Sequence, residues 1–452
     1  MKTFLIIFCA LTLGVFQMAA EVMARNSILT GGLALSYDYQ DRSGDDQSQT
    51  LDFDADDYSR LVLTPLIRYV SSSQRDRFEL SYSPEISRDL DDSETDWNDN
   101  VFLAANRDIT KAWQLYVSDQ FLRSDTAYTA NAPNVGVTVA NQGQQPVAPQ
   151  LSQDQGRRRY YRNTFNVGTD YRYRLDSLFR TNFSWILLRN DDDSQAFTEY
   201  DRYSAGIRDE HRFTSKWKAF TDFSVVRGDF EEDPGQLSED LYEYYFALGV
   251  ENNSIVRNPL SVTYDFIAAR YDEDLQPYQD IHQVQFNWKR EFNPNLYTNL
   301  GGGPSYEKTE GQDENWGYNA IAEVNHQLRR GLYNFIVEKR FGVDNFGGGG
   351  ERGFIDYWNF LFTYNHALTS NLNVNTRLQF YTEERDDPIA GNEDIQEDRY
   401  VAGIGLTYSF WRYYSAGINY TYFSQDSDIP ADEYDDHRIV LSFSWQRDLY
   451  RW

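Results

Sequence analysis

Cysteine is nearly absent from this chain, which has one, Cys9, among 452 residues. A lone thiol cannot form an internal disulfide, and cysteine metal sites need several such ligands. Residues 5–8, just before Cys9, also lack the small side chains that precede a lipidated cysteine. The sequence therefore predicts no disulfide bond, no thiolate chemistry and no lipid anchor.

Long apolar runs are scarce too. Residues 4–16 form an uncharged apolar run behind Lys2, which is typical of a secretory signal and too short to cross a bilayer as a helix. We expect cleavage after Ala24, with cleavage after Ala20 as the alternative. Beyond this leader no run approaches about 18 uncharged apolar residues, so residues 25–452 should form one exported domain without a membrane helix.

The residue patterns of common catalytic and binding sites are also missing. The five histidines show no metal-ligand spacing: His211, His282, His326, His366 and His437. There is no phosphate-binding glycine motif, and a net charge of -28 disfavours nucleic acid as a partner. We expect no enzymatic activity, no cofactor and no metal site.

Aromatic residues, in contrast, make up 16% of a sequence that is polar as a whole. In a transmembrane β-barrel only every second strand residue meets lipid, and aromatic residues gather at both membrane interfaces. The composition therefore favours an outer-membrane barrel of a Gram-negative bacterium over a soluble acidic protein.

Short turn signals recur along the chain, about 36 to 43 residues apart with one gap of about 66. They are Ser73-Gln74, Thr110-Lys111, Asp176-Ser177, Thr214-Ser215, Arg257-Asn258, Asn293-Pro294, Arg330-Gly331, Thr369-Ser370 and Trp411-Arg412. Each repeat holds one hairpin of two long strands. With the first and last units this predicts an all-β, up-and-down antiparallel barrel of about 20 strands, in the range 18 to 22, with both termini periplasmic.

Alternation within the strands separates an apolar face from a polar one. Residues 372–380 place Leu378 and Phe380 on one face and Arg377 and Gln379 on the other. A soluble β-sandwich or propeller would alternate similarly, but strands of about 11 to 14 residues exceed the usual soluble length. In the fifth strand, strict alternation would place Asp119 on the lipid face.

The C-terminus, 439–452, is an amphipathic strand that ends at Tyr450 and Trp452. It is similar to the signal that the barrel-assembly machinery reads, although Arg447 and Asp448 interrupt its alternation. The alternative is that Trp452 only anchors the terminus at the membrane interface.

Acidic residues concentrate in the longer connections. The runs are 45–46, 89–92, 191–193, 231–233, 272–274, 383–387 and 432–436. All lie at one end if the short turns lie at the other, so the outer rim should be negative. Such a rim could bridge to lipopolysaccharide through divalent cations, or it could be a plain solvated surface.

Alternation also places charged side chains on the lumen side, where they would tune ion selectivity or form cross-strand pairs. The pore-lining candidates are Arg60, Arg68, Glu79, Asp170, Arg172, Arg180 and Arg377, and the same alternation places Asp38 and Glu85 on the lumen side.

The third long connection, 125–159, differs from the acidic loops because it is long and nearly neutral. Loops of this length are usually functional or disordered. It either folds inward to narrow the channel or covers the outside. Its candidates for the constriction or mouth are Asp154, Arg157, Arg158 and Arg159.

Segment 60–68, the turn at 73–75, segment 77–82 and the uniform hairpins resemble the β-barrel porin 2 family, some members of which accompany exopolysaccharide loci. The resemblance implies a porin-like barrel and supplies no catalytic residues. Since no space for a plug precedes the first strand, we expect passive diffusion of small hydrophilic solutes or ions. Alternatives are a barrel for polysaccharide export or surface attachment, and an occluded structural barrel. Expected partners are outer-membrane lipid, lipopolysaccharide and the barrel-assembly machinery, and a homo-oligomer remains open.

Overall fold

The computed structural model describes residues 26–452 except for 45–56, 92, 94, 125–158, 192–198, 232–239, 256–257, 273–277, 312–313, 347–352, 386–394 and 429–432. Its regular structure within the described residues is entirely β-strand. The segments are β1 Ser27–Gly44, β2 Tyr58–Ser72, β3 Asp76–Tyr82, β4 Glu85–Asp89, β5 Thr95–Asp108, β6 Trp113–Ser124, β7 Tyr160–Arg174, β8 Ser177–Asn190, β9 Tyr200–Arg212, β10 Trp217–Phe230, β11 Leu241–Asn252, β12 Leu260–Tyr271, β13 Gln279–Asn293, β14 Leu296–Thr309, β15 Asn315–Gln327, β16 Gly331–Asp344, β17 Gly353–Ala367, β18 Leu372–Arg385, β19 Ile395–Phe410, β20 Tyr414–Ser427 and β21 Tyr434–Arg451. In this part of the chain no helix is long and apolar enough to span a bilayer.

The sheet closes on itself, because β1 pairs antiparallel with β2 on one side and with β21 on the other. Segments β3 and β4 both pair with β2 and β5, so they form one strand interrupted at Ser83 and Pro84. Proline has no N–H to donate to a ladder, which explains the interruption. The twenty-one segments therefore make twenty strands, and the predicted barrel is confirmed.

The two ends of the barrel differ, and we call them the turn end and the loop end. All the predicted turn positions that the structure describes lie at the turn end, together with Ser27 and Trp452. In several of these turns a Ser or Thr hydroxyl oxygen accepts hydrogen bonds from the backbone N–H groups two and three residues later. Thr214, for example, accepts from Lys216 and Trp217 at 3.2 and 3.1 Å.

The outer face of the wall is apolar and carries two belts of aromatic residues. At the turn end these include Tyr69, Trp113, Phe179, Trp217, Trp288, Tyr408 and Phe443. At the loop end they include Trp97, Trp185, Tyr203, Tyr244, Trp316, Trp358 and Tyr420. Ten residues of a tilted strand rise about 25 Å, the height of the apolar band of such barrels.

Strand β6 keeps its alternation even where this places a carboxylate on the outer face. Asp119 pairs with Leu103 of β5 and Phe165 of β7, two residues of the outer face. It therefore lies on the lipid-facing side in the middle of β6, as alternation predicts.

Candidate solute pathway

The inner wall near the turn end is polar and open. Its side chains come from many strands and include Asn166, Asn287, Asn299, Asn325, Asn375, Thr407, Asn419 and Ser442. Twenty strands about 4.8 Å apart and tilted by about 40° enclose a barrel about 40 Å across between backbones. This half forms a wide hydrophilic vestibule.

Near the loop end the inner wall is closely packed. On the β7–β12 side it is apolar and contains the buried cluster Tyr160, Leu188, Tyr200, Val226, Phe230, Leu241, Ala269, Tyr271 and Phe346. On the opposite side it is ionic. Glu383 is 2% exposed at its side chain and lies 3.1 Å from Arg385 and 3.5 Å from Arg399. The described side chains of the loop-end wall are therefore packed more densely than those of the turn-end wall.

Four of the pore-lining candidates form cross-strand ion pairs. Arg68 lies 2.7 Å from Glu79, and Arg180 lies 2.8 Å from Asp170. Both pairs link adjacent strands on the lumen side. Their charges are therefore partly neutralised by each other before they act on a passing ion.

Arg60 is held more tightly. Its side chain is 2% exposed and lies 3.0 Å from Asp38, which also accepts two hydrogen bonds from Arg438, at 2.9 and 2.7 Å. Arg60 thus belongs to a buried ionic cluster of the loop-end wall.

The remaining lumen candidates are placed differently. Arg377 donates to Gln379 at 2.6 Å on the lumen side. Arg172 is exposed at the turn end of β7, where its backbone N–H donates to Ala112 at 2.7 Å. Glu85 starts β4 and faces Asn98 across the ladder.

The third long connection lies almost wholly outside the described residues, and so do Asp154, Arg157 and Arg158. Arg159 is described: its side chain forms an ion pair with Asp96, and its carbonyl accepts from the backbone N–H of Asp191 at 2.8 Å. This residue fixes the point where the chain re-enters the wall.

Acidic residues of the loop rim bind neighbouring strands. Asp191 lies 2.5 Å from Arg123, and Glu199 accepts from the backbone N–H of Asn190 at 2.9 Å. Burial, and then a hydrogen bond with the nearby Glu231 carboxyl group, raise the pKa of Glu199. Within the described part of the chain, no three His, Cys, Asp or Glu side chains are grouped to hold a metal ion.

The feature that sequence reasoning missed is a hairpin inside the barrel. Pairing of β15 with β16 ends at Ala320 and Lys339, whereas β16 and β17 stay paired up to Asp344 and Gly353. The loop-end part of β16, 340–346, separates from β15 and enters the lumen together with Gly353 and Phe354 of β17, whereas 355–357 of β17 stay paired with β18. We call residues 340–346 and 353–354 the inner hairpin.

A sequence signal for this hairpin does exist. Phe341, Val343 and Phe346 precede the connection and Phe354 follows it, and the run 347–350 is four glycines. Most other long connections are acidic. An apolar, glycine-rich connection is poorly suited to a solvated rim and better suited to packing inside.

A cavity of about 390 Å³ lies beside the base of the inner hairpin. Glu338 and Arg340 of β16 line it together with wall residues such as Gln285, Lys289 and Glu323. Arg340 also lies 3.6 Å from Asp265 and 3.4 Å from Glu338. The lining of this cavity is therefore largely polar and charged.

A family model described as "Putative beta-barrel porin 2" matches residues 317–447. The C-terminal part of the chain resembles this porin family. That match confirms the resemblance inferred from the sequence, and with the closed barrel it identifies a porin-like integral protein of the outer membrane. No curated protein sequence matches the chain.

Solved structures share the fold of this porin-like barrel at low identity. A mutant of the ferric enterobactin receptor PfeA from Pseudomonas aeruginosa, in complex with enterobactin, is 9% identical with a TM-score of 0.51, over 93% of this chain and 81% of that one. The siderophore receptor PirA from Acinetobacter baumannii is 8% identical with a TM-score of 0.50, over 93% and 80%. OpdK from Pseudomonas aeruginosa, solved with vanillate, is 12% identical with a TM-score of 0.43, over 93% and 99%. The likeness to the two receptors, at TM-scores of 0.51 and 0.50, shows the fold alone.

Proposed function

We propose that the barrel is a channel for passive diffusion of small hydrophilic solutes or ions across the outer membrane. The observation that carries this proposal is the contrast between its two faces. The outside is apolar with two aromatic belts, whereas the turn-end lumen is lined by amide, hydroxyl and charged side chains. A wall of this kind retains water in a barrel of this width.

An export path for polysaccharide would favour exposed aromatic rings along the lumen. The inward-facing rings at the loop end are buried instead: Tyr200 is 5% exposed, Tyr271 7% and Tyr381 0%. These three rings pack against protein and leave no ring face free for a sugar at the loop end. This arrangement supports the simpler channel.

The test is single-channel conductance of refolded residues 25–452 in planar bilayers, with a salt gradient to measure ion selectivity. We expect stable conductance steps. A second protein should lack residues 126–158 but keep Arg159, because Arg159 contacts Asp96 and Asp191.

Higher conductance after this deletion would indicate that the third connection narrows the path, and equal conductance would indicate an outer cover. Absence of conductance in both proteins, with the barrel folded, would overturn the channel and favour a structural barrel or a partner for export.

A further inference from the structure

The inner hairpin reaches across several strands of the barrel. The ring of Phe341 lies over Gly317 of β15, where an added Cβ atom would come within 2.7 Å of it. The backbone carbonyl of Phe341 accepts a hydrogen bond from Gln283 of β13 at 3.0 Å. Val343 and Phe354 pack with Ile267 and Ile281 of β12 and β13. The hairpin therefore crosses the inner face of at least three wall strands.

The described tip of the hairpin is docked by specific contacts. The Phe346 ring meets Tyr200 edge-on at 5.3 Å and stacks on Phe230 at 5.5 Å. The guanidinium of Arg202 lies 4.4 Å from the centre of the same ring. These partners are on β9 and β10, far around the wall from β16, so the hairpin spans part of the lumen.

Polar contacts fix the neighbouring residue. Tyr271 donates a hydrogen bond to Asn345 Oδ1 at 3.1 Å, and Asn345 Nδ2 donates to Glu243 Oε1 at 2.8 Å. Asn345 is 2% exposed and Glu243 is 1% exposed. A buried amide with satisfied partners on two wall strands specifies one docked position.

We propose that this docked hairpin determines the size limit of the channel. The proposal rests on the proposed function and deepens it. The hairpin occupies the loop-end lumen on the β9–β15 side and leaves solutes a polar path past Arg340 and Glu338. Only small hydrophilic solutes pass while Phe346 and Asn345 are docked. Release of the tip widens the path.

Two independent changes release the tip. Phe346→Ala removes the ring that fills the aromatic pocket. Gly228→Leu acts from the wall, because a Cβ atom at Gly228 would lie 2.9 Å from the Phe346 ring and 2.7 Å from that of Phe230. The matched control is Phe423→Ala, which deletes another buried inward ring, one that stacks on Tyr434 and lies on β20, away from the hairpin.

Release of the hairpin tip can be measured independently of conductance, from the labelling rate of a cysteine introduced beneath the hairpin. Ala269 is fully buried in the cluster that holds Phe346, and residues 25–452 have no cysteine of their own. In the folded protein carrying Ala269→Cys, a water-soluble maleimide should react slowly. Adding Phe346→Ala or Gly228→Leu should accelerate labelling about tenfold or more, while Phe423→Ala should leave it unchanged.

The same variants should raise single-channel conductance relative to wild type and to Phe423→Ala. Unchanged labelling and conductance in both release variants of a conducting barrel would overturn the role of the hairpin and leave the channel intact. Faster labelling in a barrel that never conducts would overturn the channel itself.

Discussion

Asp38 illustrates how single residues hold the loop-end wall together. Its carboxylate is 4% exposed at the side chain and joins Arg60 from β2 and Arg438 from β21 across the closing strand β1. Removing one member of a buried ionic cluster leaves the others desolvated without their counter-charge, which costs several kcal/mol.

We therefore expect Asp38→Asn to lower the free energy of unfolding by about 3 kcal/mol. Urea unfolding in detergent or lipid, followed by tryptophan fluorescence, measures the change. The matched control is Glu291→Gln, which breaks an exposed pair with Lys289 at 3.6 Å and should cost less than about 1 kcal/mol. Equal losses in the two variants would contradict a special role for the Asp38 cluster.

At this scale the sequence predicts which face a residue occupies better than what the residue does there. Alternation places Arg60 and Arg377 toward the lumen, because a period of two needs only local sequence. Whether a charge is free or neutralised depends on partners far along the chain. The contact between Asp38 and Arg438 joins residues 400 positions apart, and no local pattern reveals it.

The turns are the elements that fix the register of each hairpin. At the β9–β10 turn, the Thr214 hydroxyl accepts backbone N–H groups of Lys216 and Trp217. The Thr369 hydroxyl likewise accepts hydrogen bonds from the backbone N–H groups of Asn371 and Leu372. These side chains replace ladder partners that the turn backbone lacks.

Thr214→Ala should lower stability by about 1 kcal/mol, because two backbone donors lose their acceptor at an exposed site where water partly replaces it. Thr214→Ser keeps the hydroxyl and should stay near wild type. Chemical denaturation of the wild type, Thr214→Ala and Thr214→Ser measures the free energy of unfolding of each protein. A loss as large in the serine variant as in the alanine variant would point to packing of the threonine methyl group instead.

Strand number and turn position follow from the sequence because two alternating strands and a short turn recur in each hairpin. The interruption between β3 and β4 follows from Pro84 once the pairing is known. The position of the inner hairpin cannot be predicted from the sequence, because Phe341, Val343 and Phe354 alternate like residues of an ordinary strand. Only the end of pairing between β15 and β16 and the contacts with β9–β13 reveal their course.

The whole barrel closes between the first and last strands. Ser27 and Trp452 exchange backbone hydrogen bonds at 2.9 and 3.0 Å, and the Trp452 ring stacks on Tyr69 of β2 at 6.1 Å and meets Tyr450 edge-on at 5.6 Å. The terminal residue therefore takes part in closure as well as lying in the aromatic belt.

Deleting Trp452 should reduce the fraction of chains that assemble into a barrel, because both the last pairing and the terminal ring are lost. Trp452→Phe should retain most assembly, since the backbone pair and an aromatic ring remain. The difference in gel mobility between unheated and boiled membrane samples measures the folded fraction. Normal assembly of the deletion would refute an assembly role for the terminal residue.

The most direct test of a size-limited aqueous channel is the swelling of liposomes that contain the folded protein when they are placed in isotonic sugar solutions of increasing size. We expect swelling in a monosaccharide with the wild-type barrel, exclusion of larger oligosaccharides, and a higher size limit with Gly228→Leu. Absence of swelling in the monosaccharide for both proteins, with folded barrels in the membrane, would contradict the channel.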